Sequence, residues 1–198
     1  LGGISKATWG AVKVLDIFGM DYIFIETVGV GQSEVDIVKL ADTVLMVLVP
    51  NLGDEVQAIK AGIMEIADVF AINKADLDGA DKTKLEIEMN LDLSQYKDYR
   101  PPVVKVSASR NENIKELVEK LMEHREYLEK TDKLKERRKK NTKLEVIKLV
   151  EEELLNLIMN KSLEENLLDN LIESILLKEM DPYTAKDRII NLINYRRG

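Results

Sequence analysis

The chain has 198 residues, of which 45% are hydrophobic and 33% charged, which suits one soluble α/β domain with a helical addition. Its formal net charge of −7 argues against a general nucleic-acid-binding surface, and no apolar run reaches the length of a membrane span. The absence of cysteine excludes disulfides and thiolate chemistry, and a single histidine excludes a multi-histidine metal site.

The first quarter of the chain predicts two helices and two strands. Apolar residues at helical spacing predict a helix over residues 4–18, with Gly19 as its C-terminal stop. An apolar run from Asp21 to Glu26 predicts a buried strand, and Ser33 could cap a short helix that ends near Leu40. Residues 43–49 form a continuous apolar run before Pro50, which predicts a strand buried on both faces.

The next part of the chain repeats the alternation of helix and strand. Helices are expected over about residues 55–67 and 82–91, with a strand over residues 68–72 between them. A further strand is expected over residues 103–106, followed by a long amphipathic helix over residues 113–128. The pattern indicates an α/β fold, in which right-handed crossovers build a parallel sheet that is flanked by helices.

The ends of these strands carry polar residues. The carboxyl ends of parallel strands share one edge of the sheet, and ligands bind beyond that edge. We therefore expect five strand-end residues to lie near one another: Glu26, Asp54, Asn73, Asp76 and Ser107.

The character of the sequence changes near residue 130. A basic run over residues 133–143 is interpreted as a solvated helix face or a junction rather than an anion site. Apolar residues then recur at helical spacing, and Asp181 with Pro182 predicts the start of a last helix. We assign residues 1–130 to the α/β domain and residues 131–198 to an all-α arm, whose apolar stripe requires a partner.

The loop Asn73-Lys74-Ala75-Asp76 fits an Asn-Lys-x-Asp pattern directly after a strand. The carboxylate of Asp76 is spaced to accept hydrogen bonds from N1–H and the 2-amino group of guanine, while Lys74 covers the base and Asn73 ties the loop to its neighbours. Adenine presents a different edge and would leave the carboxylate unpaired, which is costly. A solvated loop is the alternative interpretation.

The segment Ser107-Ala108-Ser109 follows the next strand. Beside the guanine loop, its backbone N–H groups, chiefly that of Ala108, are expected to face the 6-oxo group of the base. Without that neighbour the segment would be an ordinary loop.

The segment Glu26-Thr27-Val28-Gly29 replaces the more usual Asp-x-x-Gly of GTPases. Glu26 is expected to bind Mg²⁺ directly or through water, and Gly29 to offer its N–H to the γ-phosphate. Gln32 is one of several polar residues that could orient the attacking water. A strand that simply ends in an acidic turn is the alternative.

The loop over residues 50–62 places Asp54, Gln57 and Lys60 at helical spacing. From the pattern alone, a capped and solvated helix start is the simpler interpretation of these residues.

Together the motifs strongly resemble those of the methylmalonyl-CoA mutase-associated GTPases of the MeaB/ArgK type. The resemblance covers essentially the whole chain and rests on five segments: residues 26–34, Gly53 to Gly62, Asn73 to Asp76, Arg100 to Val103, and Asp181 to Tyr183.

The resemblance implies a partial P-loop NTPase-like α/β fold, followed by an all-α C-terminal dimerisation arm. It implies a GTPase that uses GTP or GDP with Mg²⁺ and is homodimeric through its C-terminal helices. It implies a cytoplasmic chaperone that protects adenosylcobalamin-dependent methylmalonyl-CoA mutase and gates its cofactor loading. Glu26, Gln32 and Lys60 would then serve catalysis, and Asp54, Gln57 and Lys60 would relay the nucleotide state to the mutase.

One departure from the pattern concerns the phosphates. No Gly-x-x-x-x-Gly-Lys-[Ser/Thr] loop occurs in the 198 residues, and in the family it lies upstream of the segment that Leu1-Gly2-Gly3 resembles. We therefore expect a C-terminal part of a GTPase that is inactive by itself. The alternative function is a non-catalytic helical interaction module with a relic nucleotide site. A transport ATPase is disfavoured, because guanine recognition contradicts the use of ATP.

Three further residues have structural interpretations. His124 and Arg125 are placed on the polar side of the long helix, where a structural or solvated role is favoured over a catalytic one. Trp9 is expected to pack rather than to stack on a ligand.

Overall fold

The computed structural model describes residues 6–27, 37–50, 65–93, 98–164 and 166–194. The predicted site residues Gly29, Gln32, Asp54, Gln57 and Lys60 lie outside these ranges, as do most of the predicted helices over 33–40 and 55–67. The chain divides into two compact units, Leu1–Asn141 and Thr142–Gly198.

A three-stranded parallel sheet is the centre of the first unit. Its strands are β1 (Leu45–Leu48), β2 (Val69–Ile72) and β3 (Val103–Lys105), in the spatial order β1-β2-β3. Leu45 is paired with Val69 and Phe70 with Val103. The parallel α/β architecture predicted from the sequence is confirmed.

Alternate residues of β2 pack on opposite faces of the sheet. Phe70 and Ile72 belong to one buried cluster, with Ile87 and Leu91 of helix α2 (Ala80–Leu93). Val69 and Ala71 belong to a second cluster, which Leu117 of helix α3 (Ile114–Lys130) completes. Each fully buried large apolar side chain contributes about 1.5–3 kcal/mol, so β2 and its two covering helices form the core.

Helix α1 (Lys6–Ile17) ends at Gly19, as the sequence predicted. The N–H of Gly19 donates to the carbonyl of Asp16, and the N–H of Met20 donates to the carbonyl of Leu15. The φ of Gly19 is +81°, the left-handed conformation that closes a helix end in this way and that glycine adopts without a steric cost.

The predicted strand from Asp21 to Glu26 is wrong. The segment is not assigned to the sheet, and Phe24 within it is 87% exposed. A strand requires a neighbouring strand with which to exchange hydrogen bonds, and among the described residues the sheet ends at β1. A second difference concerns β1, the strand at this edge of the sheet. Val47 of β1 is 54% exposed, so this strand is not buried on both faces.

Three helices follow α3. They are α4 (Lys133–Glu164), α5 (Leu167–Leu176) and α6 (Pro182–Asn194). At the start of α6, the carboxylate of Asp181 accepts hydrogen bonds from the N–H groups of Tyr183 and Thr184, which confirms the predicted N-cap and the proline at the first helical position. None of the helices in the described ranges combines the length and hydropathy of a membrane span.

The basic start of α4 belongs to the first unit and is held there by two ion pairs. Both guanidinium branches of Arg137 bind the carboxylate of Asp68, at 2.8 and 2.9 Å, and Arg138 pairs with Asp42. The compact units therefore divide within α4, after Asn141. The boundary at residues 130/131, as a division of function, stays a prediction.

His124 is buried, not on the polar side of its helix as the sequence suggested. Its side chain is 2% exposed, with Nδ1 2.9 Å from the Thr43 hydroxyl and Nε2 3.4 Å from the Asp68 carboxylate. Tyr99 packs beside its ring at a centroid distance of 4.9 Å. Burial lowers the pKa of His124, and nearby Arg137 acts in the same direction, whereas Asp68 acts against both. The structural interpretation of this histidine fits these contacts.

Candidate functional site

Two loops meet where β2 and β3 end. The first follows Ile72, and its backbone is fixed by two hydrogen bonds. Asn73 N–H donates to the Leu48 carbonyl at 2.7 Å, and Ala75 N–H donates to the Val106 carbonyl at 3.0 Å. The parallel register thus places the start of the Asn73–Asp76 loop against the residues that follow β3.

The side chain of Asn73 connects the two loops. Its Oδ1 accepts a hydrogen bond from Lys74 N–H at 2.8 Å and another from Ala108 N–H at 3.1 Å. Lys74 has a φ of +57°, a left-handed conformation that is uncommon for a residue with a side chain. The Asn73 amide therefore braces an unusual backbone conformation and fixes the spacing between the loops.

The N–H of Ala108 has a partner other than the one predicted for it. The sequence predicts that this group faces the 6-oxo group of guanine, whereas in the structure it donates to Asn73. A backbone N–H can be shared between two acceptors in a three-centre bond. A base bound here would share the Ala108 donor with Asn73 or use a neighbouring N–H of the 3₁₀ turn Ala108–Arg110.

The carboxylate of Asp76 has two partners. The Ser107 hydroxyl donates to Oδ1 at 2.7 Å, and the Arg110 guanidinium lies 3.3 Å from Oδ2. Ser107 is only 1% exposed, and its Oγ also lies 3.3 Å from that of Ser109. The Ser107 hydrogen bond is the main cause of the lowered pKa of Asp76, and Arg110 and Lys74 act in the same direction.

The arrangement can therefore present an ionised carboxylate to a ligand. The carboxylate of Asp76 accepts a hydrogen bond from the buried Ser107 hydroxyl. The Asp76 side chain is 15% exposed. Arg110 was not among the residues predicted for the site. The signal was its position directly after Ser107-Ala108-Ser109, where a cation can reach the carboxylate that these residues surround.

The remaining predicted site residues are placed differently. Glu26 is exposed at the end of the extended segment that does not join the sheet. Among the described residues there is no cluster of three or more aspartate, glutamate or histidine side chains that could hold a metal ion. The structure thus brings together Asn73, Asp76, Ser107 and Ala108, with Lys74 and Ser109 in the same two loops.

The geometry of the two loops agrees with a comparison against protein families. Residues 1–163 match the family described as "Methylmalonyl Co-A mutase-associated GTPase MeaB". The chain belongs to this MeaB family.

Individual relatives give the same assignment. A protein of Pyrococcus abyssi that is named as a GTPase is 51% identical, over 98% of this chain and 60% of its own length. GTPase ArgK of Escherichia coli is 29% identical, over 79% of this chain and 49% of its own length.

A solved structure confirms the fold of this MeaB-family chain. The crystal structure of a LAO/AO transport system kinase matches 89% of the chain and 58% of its own length, with a TM-score of 0.69 and 25% sequence identity. The P-loop NTPase-like fold class predicted from the sequence is therefore confirmed. The chain spans about 60% of the length of the first of these relatives.

Proposed function

We propose that this protein binds guanine nucleotides through the two loops that follow β2 and β3 and acts as a GTPase of the MeaB family. The observation that carries the proposal is the ionised carboxylate of Asp76, held by the buried Ser107 hydroxyl at 2.7 Å, beside two loops that Asn73 connects. Membership of a family whose description contains the word GTPase supports the same conclusion.

Base recognition would follow from hydrogen-bond chemistry. Asp76 can accept bonds from both N1–H and the 2-amino group of guanine, because Ser107 uses only part of the capacity of Oδ1. Adenine offers no such pair of donors on that edge, so the carboxylate would gain no hydrogen bond from it. Lys74 would lie along the base, and N–H groups around Ala108 and Ser109 would meet the 6-oxo group.

Phosphate chemistry is assigned to Glu26, Gly29 and Gln32. Mg²⁺ in nucleotide sites is usually held by one or two carboxylates together with phosphate oxygens. Glu26, an exposed carboxylate, is of the type required for one of those ligands. When bound, Mg²⁺ would neutralise phosphate charge. Gly29 would donate its N–H to the γ-phosphate and Gln32 would orient the attacking water.

The partners of the protein belong to the same proposal. Asp54, Gln57 and Lys60 would relay the nucleotide state to a client, and the family description suggests methylmalonyl-CoA mutase as that client. In this role the protein would be a cytoplasmic chaperone that protects the mutase and gates loading of its adenosylcobalamin. Two copies would associate through the C-terminal helices.

Nucleotide selectivity tests the proposal. The natural protein that contains this chain should bind GDP at least tenfold more tightly than ADP in calorimetry, about 1.4 kcal/mol for each factor of ten. Asp76→Asn should shift the preference from guanine to xanthine nucleotides, because the amide can donate to the 2-oxo group that xanthine carries. The matched control is Asp98→Asn, a carboxylate that pairs with Lys133 instead of facing the loops.

Two results would contradict this function. Equal affinity for GDP and ADP would favour the non-catalytic helical interaction module, for which the exposed apolar residues of α4 provide a surface. Unchanged selectivity in Asp76→Asn would remove the base-reading role from this carboxylate.

A further inference from the structure

Arg110 and Ser107 bind different oxygens of the Asp76 carboxylate. The Nη2 of Arg110 is 3.3 Å from Oδ2, the carboxylate oxygen that Ser107 does not bind. Both oxygens of Asp76 are thus engaged, one by a buried hydroxyl and the other by a guanidinium whose side chain is 59% exposed.

Ser107 and Arg110 differ in how readily they can move away from the Asp76 carboxylate. Ser107 is buried at the edge of the core, with 1% of its surface exposed, so its hydroxyl remains in place. The backbone of Arg110 is fixed in the 3₁₀ turn, because its N–H donates to the Ser107 carbonyl at 3.2 Å and Asn111 closes the turn with a φ of +55°. The long Arg110 side chain is therefore the part that can swing into solvent.

We infer that Arg110 is an internal competitor for Asp76, which neutralises the carboxylate when the site is empty and gives way to the guanine edge when a nucleotide binds. This inference rests on the proposed guanine binding. Guanine brings two donors to the carboxylate and replaces the ion pair, whereas a base without such donors leaves the ion pair in place. Arg110 is thus a specificity-determining residue that acts on the empty site.

The competition has a kinetic signature. A nucleotide can enter only the fraction of molecules in which Arg110 has left Asp76, so the ion pair slows association. Once the base is bound, Arg110 is in solvent, so the dissociation rate is independent of it. An exposed ion pair of this kind changes an equilibrium by about two- to fivefold.

Stopped-flow binding of a fluorescent GDP to the natural protein that contains this chain tests the inference. Arg110→Ala should raise the association rate constant by about two- to fivefold and leave the dissociation rate constant unchanged. Lys115→Ala is the charge-matched control, because Lys115 is 92% exposed on the following helix and pairs with Glu119. This control measures the effect of losing one positive charge on the attraction of an anionic nucleotide.

A second background isolates the contact with Asp76. In Asp76→Asn the guanidinium has no carboxylate to hold, so adding Arg110→Ala should leave the association rate for a fluorescent xanthosine diphosphate unchanged. The inference would be overturned if Arg110→Ala raised the association rate constant equally in both backgrounds. It would also be overturned if Arg110→Ala gave no faster association than Lys115→Ala. If the protein binds GDP selectively but its association rate does not depend on Arg110, only the inference is wrong. If the unaltered protein shows no selectivity for GDP, the proposed function and the inference are both wrong.

Discussion

Asn73 is the residue on which the spacing of the two loops depends. Asn73→Ala removes the acceptor of two backbone N–H groups, those of Lys74 and Ala108. Water can reach both groups in part, so we expect a loss of about 1–2 kcal/mol in the free energy of unfolding. We also expect weaker GDP binding, because the Lys74 backbone loses the contact that braces its left-handed conformation.

Urea unfolding and calorimetry measure these two effects of Asn73→Ala. Asn90→Ala is the control, because that side chain donates to the backbone carbonyl of Glu86 within its own helix. A loss of stability without any change in GDP affinity would show that Asn73 has no part in the nucleotide site.

His124 makes the stability of the first unit depend on pH. Burial lowers its pKa below the ordinary value of 6.5, so the folded protein holds it neutral among Thr43, Asp68, Tyr99, Tyr127 and Arg137. As pH falls below 6.5, the unfolded chain binds a proton that the folded chain does not. The stabilisation is therefore complete above that pH and is lost as the pH decreases.

The pH dependence of unfolding by urea measures this contribution. Between about pH 7.5 and about pH 5.5, the unaltered protein should lose more stability than His124→Gln, by at most about 1.4 kcal/mol per pH unit. A titration of the His124 ring by nuclear magnetic resonance that gave a pKa above 6.5 would contradict the expectation.

At the scale of elements, the start of α4 depends on Arg137 more than on Arg138. The Arg137 and Asp68 side chains are 26% and 12% exposed, whereas those of Arg138 and Asp42 are 63% and 41% exposed. Removal of one partner from a largely buried pair leaves a charge without compensation, while an exposed pair contributes little. Asp68 also accepts a hydrogen bond from the N–H of Val44, the residue just before β1. Removal of Arg137 would therefore also affect the backbone where the chain enters β1.

Two alanine variants compare these ion pairs. Arg137→Ala should lower the free energy of unfolding by about 2–4 kcal/mol, and Arg138→Ala by less than about 1 kcal/mol. Urea unfolding followed by circular dichroism is the measurement. Equal losses in the two variants would show that the difference in exposure has no energetic consequence.

The elements also show which features a sequence reveals. β2, β3 and α3 were predictable because apolar runs and helical spacing are local patterns. The segment from Asp21 to Glu26 has the composition of a strand, but strand formation depends on a neighbour that composition does not supply. The meeting of the two loops was predictable as well, since parallel strands end at one edge of a sheet.

Side-chain partners distant in sequence were not predictable. Arg137 and Asp68 are separated by 69 residues, and nothing in the basic run distinguishes Arg137 from its neighbours. The burial of His124 did have a signal, because it lies at helical spacing from Leu117, Leu121 and Leu128. A polar residue on that apolar face requires buried partners, which Thr43 and Asp68 supply.

For the whole molecule, the open question is what covers the apolar residues of the second unit. Several large apolar residues in α4 are 44% to 54% exposed, and they recur every three or four positions: Val146, Val150, Leu154 and Leu157. Residues with this spacing lie along one helical stripe. A second copy of the chain can cover such a stripe, in agreement with the proposed homodimer.

Sedimentation equilibrium tests the proposed dimer. We expect the natural protein that contains this chain to dimerise, and the double variant Val150→Glu with Leu154→Glu to raise the dissociation constant more than tenfold. Burial of each apolar side chain contributes about 1.5–3 kcal/mol, and each new carboxylate would have to be desolvated. The control Lys148→Glu adds negative charge to the same helix outside the stripe and should have a much smaller effect. A monomeric protein, or a dimer insensitive to the double variant, would mean that a different molecule covers the stripe in the MeaB-family assembly.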